Sequence, residues 1–154
     1  MRPWPPVRDF LSYWLPPFLG VAVILTLSGN LGSSVHTLRL LQRLLSWVPY
    51  LGPAQLEVLN VVLRKAGHVL GYGVLYFLWF RAFQGHRGYG RGQALLFSLA
   101  LCVAVAAMDE GHQFLLSSRT GNIRDVALDL GGSALGAVLT LFLWSPRPGA
   151  TRGE

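Results

Sequence analysis

The run Asp125-Val-Ala-Leu-Asp129-Leu-Gly-Gly132-Ser-Ala-Leu-Gly136-Ala-Val-Leu-Thr-Leu-Phe-Leu-Trp144 decides how this chain is read. Two carboxylates one helical turn apart open it, and no charge follows from Leu130 to Trp144. As a helix the charge-free part is about 22 Å long, against a hydrocarbon core about 30 Å thick. Asp125, Asp129, Gly132 and Gly136 fall on one helical line. The two glycines allow a neighbouring helix to approach closely, directly below the carboxylates. The expectation is a membrane helix with an acidic end.

The rest of the chain has the same character. It is 52% hydrophobic and 13% charged, where a soluble domain carries about 25% charged residues. Mean hydropathy is +0.43. The net charge of +6 does not point to nucleic acid, because the basic residues are spread over loops and segment ends with no interleaved aromatic patch. They suit membrane orientation and anionic lipid instead. Cys102 is the one cysteine, which rules out an internal disulfide and suggests no cysteine-based metal site.

Four apolar segments are expected, at about 10–27, 55–83, 93–117 and 123–144. Pro16 and Pro17 would kink a helix starting at Phe10 or sit in the first turn of a shorter one. The stretch 18–27, followed by small residues, also fits a signal peptide. Residues 35–48 place Leu38, Leu41, Leu45 and Val48 on one face and Arg39, Gln42, Arg43 and Ser46 on the other. That is an amphipathic helix, lying in the membrane interface or packed on the bundle as a connector. Residues 1–144 read as a single transmembrane domain, and the Pro-, Gly- and Arg-rich stretch 145–154 as a disordered basic tail.

With alternating spans, one side holds Arg2, Arg8, Arg81, Arg87, Arg91, Arg147 and Arg152. The other holds Arg39, Arg43, Arg64, Lys65, Arg119 and Arg124. Lys65 and Arg64 lie within a helix, which tilts the balance toward cytoplasmic termini. The charge-free runs Val69–Phe80, Ala94–Met108 and Leu130–Trp144 then bring His68, Asp109 and Asp129 to one level in the outer part of the membrane. Helical phase puts Lys65, His68 and Tyr72 on one stripe, and Asp109, His112 and Gln113 on a second, with Glu110 beside it. Arg119 and Arg124 lie above, on the connection leading to Asp125 and Asp129. A purely structural network could account for this layer, but buried ion pairs often fail to recover their desolvation cost. A functional pocket is the preferred reading.

Lys65-Ala-Gly-His68-Val-Leu-Gly-Tyr72, then Asp109-Glu110-Gly-His112-Gln113, then Arg119 and Arg124-Asp125-Val-Ala-Leu-Asp129-Leu-Gly-Gly132 together resemble the VanZ-like family. Its pattern is Lys-x-x-His-x-x-x-Tyr, Asp-Glu-x-x-Gln, an Arg ten residues past that Asp and an Asp six residues further, followed by an Asn or Asp and a Gly-rich stripe. The resemblance covers about residues 60–140. The chain departs from the pattern at Ser117-Ser118, where relatives often have Pro-Gly, and at Gly71, where a Glu commonly precedes the Tyr. The resemblance implies a small, multi-pass bacterial inner-membrane protein of about four helices. Through the family's namesake it also implies a link to antibiotic resistance against lipid-bearing glycopeptides such as teicoplanin.

The leading functional expectation is a cell-envelope protein with a polar outer-leaflet pocket. That pocket would bind or modify a lipid headgroup, a wall precursor or a lipidated glycopeptide, with Arg119 and Arg124 holding phosphate or carboxylate. One alternative is an intramembrane enzyme in which His68, Asp109, Glu110 and His112 supply acid–base pairs or metal ligands. Another is a proton-coupled carrier, which with so few helices would need a homodimer. No compact two-His helix motif is present, so neither a metal nor another cofactor is expected.

Overall fold

The computed structural model describes residues 7–29, 32–85, 89–115 and 123–144. Within them the chain forms helices only: α1 Val7–Ser28, α2 Ser34–Leu44, α3 Pro53–Gly85, α4 Arg91–Leu115 and α5 Ile123–Leu143. The expected tail 145–154 and the connection carrying Arg119 lie outside the described residues.

Local chemistry sets the helix ends. Helix α1 runs unbroken through Pro16 and Pro17, although neither proline can donate to the ladder. The Ser33 hydroxyl caps α2 by accepting from the His36 backbone N–H at 3.4 Å and lies 2.8 Å from His36 Nδ1. Pro53 opens α3, where its missing N–H costs nothing. The amphipathic segment is helical only to Leu44 and then turns, leaving Trp47 and Tyr50 exposed.

Helix α3 is the centre of the bundle. Among the described residues it alone touches all four other helices, while α4 also packs on α1 and α5. Helices α1, α4 and α5 are long and apolar enough to cross a membrane. Helix α3 falls short on composition, because Arg64, Lys65 and His68 and several aromatic residues lower its hydropathy. Its 33 residues give about 50 Å of helix, more than a hydrocarbon core requires. The expected count of four spans therefore rests on α3's central position and is approximate.

Burial departs from that of a soluble bundle in two ways. Asn60, Ser98, Asp109, Gln113, Asp129, Ser133 and Thr140 are buried, while Phe18, Val23, Leu70, Leu96, Leu139 and Phe142 are exposed. Apolar surface on that scale is at home against lipid, and polar side chains then face the bundle interior.

At one end the bundle is held by aromatic rings. Trp14 meets Phe83 edge-on at 5.3 Å, Phe18 meets Trp79 at 5.2 Å, and Phe80 meets Trp144 at 5.5 Å. Further along, α3 and α5 make contact through their backbones. A Cβ added to Gly136 would lie 2.6 Å from the Gly73 carbonyl oxygen, and one added to Gly132 would collide with the Val69 carbonyl oxygen. Gly136→Leu should therefore force α3 and α5 apart and destabilise the detergent-solubilised protein by about 1–3 kcal/mol, the usual cost of overpacking. Gly131, around which nothing lies within 4 Å, should accept alanine with no loss. Thermal melts followed by tryptophan fluorescence would check both.

Candidate functional site

Because α3 and α5 meet so closely, the side chains just above the glycines come into direct contact. His68 Nδ1 lies 2.7 Å from Asp129 Oδ1. Asp129 is fully buried, and the His68 side chain is 18% exposed. Helix α4 brings Asp109 to the same place: one atom each from His68, Asp109 and Asp129 lie within 4.8 Å of one another. Gln113, one turn beyond Asp109, donates from Nε2 to Ser28 Oγ at 2.9 Å and to Asp109 Oδ2 at 3.3 Å. That tie links the end of α1 to the end of α4. The buried Tyr72 sits one turn from His68, and its hydroxyl has no hydrogen-bond partner among the described residues.

The expected layer of polar groups thus has a dense centre and a looser rim. His68, Tyr72, Asp109, Gln113 and Asp129 converge. Lys65 and His112 are exposed, as is Arg124 at the start of α5, while Glu110 and Asp125 are half-buried. On α4 the buried pair is Asp109 and Gln113, four residues apart, and His112 falls off that face. Arg119 lies outside the described residues.

Beside this centre is a cavity of about 420 Å³ between α1, α2 and α3. Val23, Ile24 and Leu27 of α1, Leu40 and Leu41 of α2, and Leu63 of α3 form its apolar wall. Val23, Leu27, Leu40 and Leu63 are exposed, so the cavity opens sideways between helices. Its polar side is a continuous stripe of α3, Asn60, Arg64, His68 and Tyr72, joined by Asp109. Asn60 donates from Nδ2 to Ser34 Oγ at 3.0 Å and accepts from the Thr37 hydroxyl at 2.6 Å, which fixes α2 over the opening. Arg64 Nη1 donates to the Gly32 carbonyl at 3.1 Å.

Asn60 and Arg64 are the residues the sequence reading missed. Asn60, Arg64, His68 and Tyr72 follow one another at intervals of four, which places all of them on one face. The stripe of Lys65, His68 and Tyr72 is the neighbouring phase, and it turns Lys65 outward. Gly71 also lines the cavity, with nothing within 4 Å of where a Cβ would sit.

The His68–Asp129 contact makes a clear prediction. His68→Leu leaves a buried carboxylate without its partner and should cost about 3–5 kcal/mol. The double variant His68→Leu/Asp129→Leu removes the orphaned charge and should recover a large part of that loss. Melting of the three proteins side by side would check this.

A family-wide sequence profile described as VanZ/LLP1 matches residues 14–144. No curated protein and no solved structure matches the chain. The matched span takes in all of α2, α3, α4 and α5, most of α1, the cavity and the polar centre. By that match the chain belongs to the VanZ/LLP1 family of membrane proteins.

Proposed function

We propose that this chain acts at the cell envelope by taking up an anionic amphiphile from the outer leaflet of the bacterial inner membrane. The carrying observation is the cavity: its walls are apolar, its mouth opens sideways, and one flank bears Arg64, His68, Tyr72 and Asp109. An acyl or isoprenoid tail would lie against Val23, Leu27, Leu40 and Leu63. The guanidinium of Arg64 would take a phosphate or carboxylate head, the chemistry for which its planar fork is suited. A phospholipid, a lipid-linked wall precursor and a lipidated glycopeptide all share that chemistry. This places the headgroup contact on Arg64 rather than on Arg119 or Arg124 alone.

The purified protein offered a polyprenyl monophosphate, phosphatidylglycerol and teicoplanin in separate titrations should retain at least one of them. Arg64→Gln should weaken that binding roughly tenfold, the loss of one charge-assisted hydrogen bond in a partly buried site. Lys65→Gln, on the outward phase of α3, should leave it unchanged. Equal effects of the two variants, or no retention of any of the three, would sink the reading.

A second reading, acid–base chemistry on the same headgroup, is favoured by the His68–Asp129 pair. The buried carboxylate orients the imidazole through Nδ1, and His68 lines the cavity. Such an arrangement leaves Nε2 to exchange a proton with a bound ligand.

The orientation has its own test. With both termini cytoplasmic, the turn after α2 faces outward and the start of α4 inward. Tyr50→Cys should then react with an impermeant maleimide in intact spheroplasts, and Gly90→Cys should react only after lysis. Cys102 is buried and should give little background.

A further inference from the structure

We propose that His68, Asp109 and Asp129 form a binding site for one divalent transition-metal ion, of the Zn²⁺ or Mn²⁺ type. The sequence reading expected no metal because no helix carries a compact pair of histidines. The structure assembles the donors differently, one from each of α3, α4 and α5, and Asp129 takes the place that His112 was given.

Three observations carry the site. First, one donor atom from each residue lies within 4.8 Å of the other two, and His68 Nδ1 is 2.7 Å from Asp129 Oδ1. Two donors each about 2.0–2.1 Å from a shared ion sit roughly 3 Å apart. Second, Asp109 is 1% exposed and Asp129 is 0% exposed. Yet Asp109 Oδ1 and Asp129 Oδ2 accept no hydrogen bond from any described residue. Buried carboxylate oxygens normally have a partner. Third, two buried carboxylates with a neutral imidazole would carry two negative charges inside a membrane bundle. A divalent cation neutralises both charges and engages the orphaned oxygens in one step.

One imidazole and two carboxylates suit borderline ions such as Zn²⁺ and Mn²⁺ and offer nothing to a thiophilic one. Three protein donors leave a coordination position open. His68 and Asp109 both line the cavity, so that position faces it. The inference deepens the amphiphile reading: the ion would give a phosphate head a second anchor beyond Arg64.

The test uses the full chain in detergent, stripped with chelator, incubated with ZnCl₂ or MnCl₂, desalted and analysed for metal. About one ion per chain is expected. Asp109→Asn should lower the retained metal roughly tenfold or more, with the melt of the metal-free protein little changed, and His112→Gln should bind as wild type does. A folded wild type that retains no metal overturns the site, as does retention indifferent to Asp109→Asn. Should Asp109→Asn not fold, Mn²⁺ on the wild type must show electron-spin coupling to an imidazole nitrogen that His68→Gln abolishes. A spectrum lacking that coupling overturns the site equally. Amphiphile titration with and without chelator separates the two proposals. Binding that ignores the chelator, with no metal retained, leaves the amphiphile reading standing alone. Metal retained without amphiphile leaves only the ion site.

Discussion

The backbone contact between α3 and α5 is the constraint on which the rest of the structure depends. Lipid tails are as apolar as leucine, so helices in a bilayer associate through close packing and polar contacts rather than through the hydrophobic effect. Here both work at one seam. Gly73, Gly132 and Gly136 bring the two backbones together, and one turn above them His68 meets Asp129 at 2.7 Å. A larger residue at either α5 glycine would widen the seam and pull the imidazole from the carboxylate. The packing and the polar site are one feature of the sequence, spaced by a single helical turn.

Along its length the bundle divides into two regimes. At one end, rings from α1, α3 and α4 interlock with Trp144 just past α5, and the Arg81 guanidinium stacks 5.1 Å from the Tyr13 ring while donating to the Ser12 carbonyl at 3.2 Å. Aromatic contacts of this kind hold helices at fixed distances through many shallow, additive attractions. At the other end the helices are joined by few, directional bonds: Gln113 to Ser28, Asn60 to Ser34 and Thr37, and Arg64 to Gly32. Between those ties space is left open.

How legible this was in the sequence depended on which signal was read. The helical class and the membrane setting followed from long charge-free runs, which no soluble bundle of this size needs. The convergence of His68 with Asp109 and Asp129 followed from comparing run lengths in antiparallel helices. Phase was less reliable. A stripe read from Lys65 and one read from Arg64 differ by 100° of helix, and both satisfy an i, i+3 or i, i+4 rule to His68. Only the position of α2 separates them, because Asn60 and Arg64 face it and Lys65 does not. On α4, His112 and Gln113 presented the same ambiguity, and burial resolves it for Gln113. The cavity itself could not be seen from local patterns. Most of its apolar wall comes from α1 and α2, segments far in sequence from the motif residues, with only Leu63 contributed by α3.

The departure at Gly71 gains physical meaning from that cavity. The pattern this chain resembles commonly places a glutamate there, beside the tyrosine. Position 71 lines the cavity, and a side chain at this point would enter open space, since nothing lies within 4 Å of its Cβ direction. A glutamate would fill part of the volume and add a negative charge about two turns from Arg64 on the same face. Glycine removes both effects. It widens the space beside His68 and leaves the guanidinium without an internal carboxylate competitor on its own helix. The electrostatic balance of the cavity then favours an anion at Arg64, and most strongly once the charge of Asp109 and Asp129 is compensated.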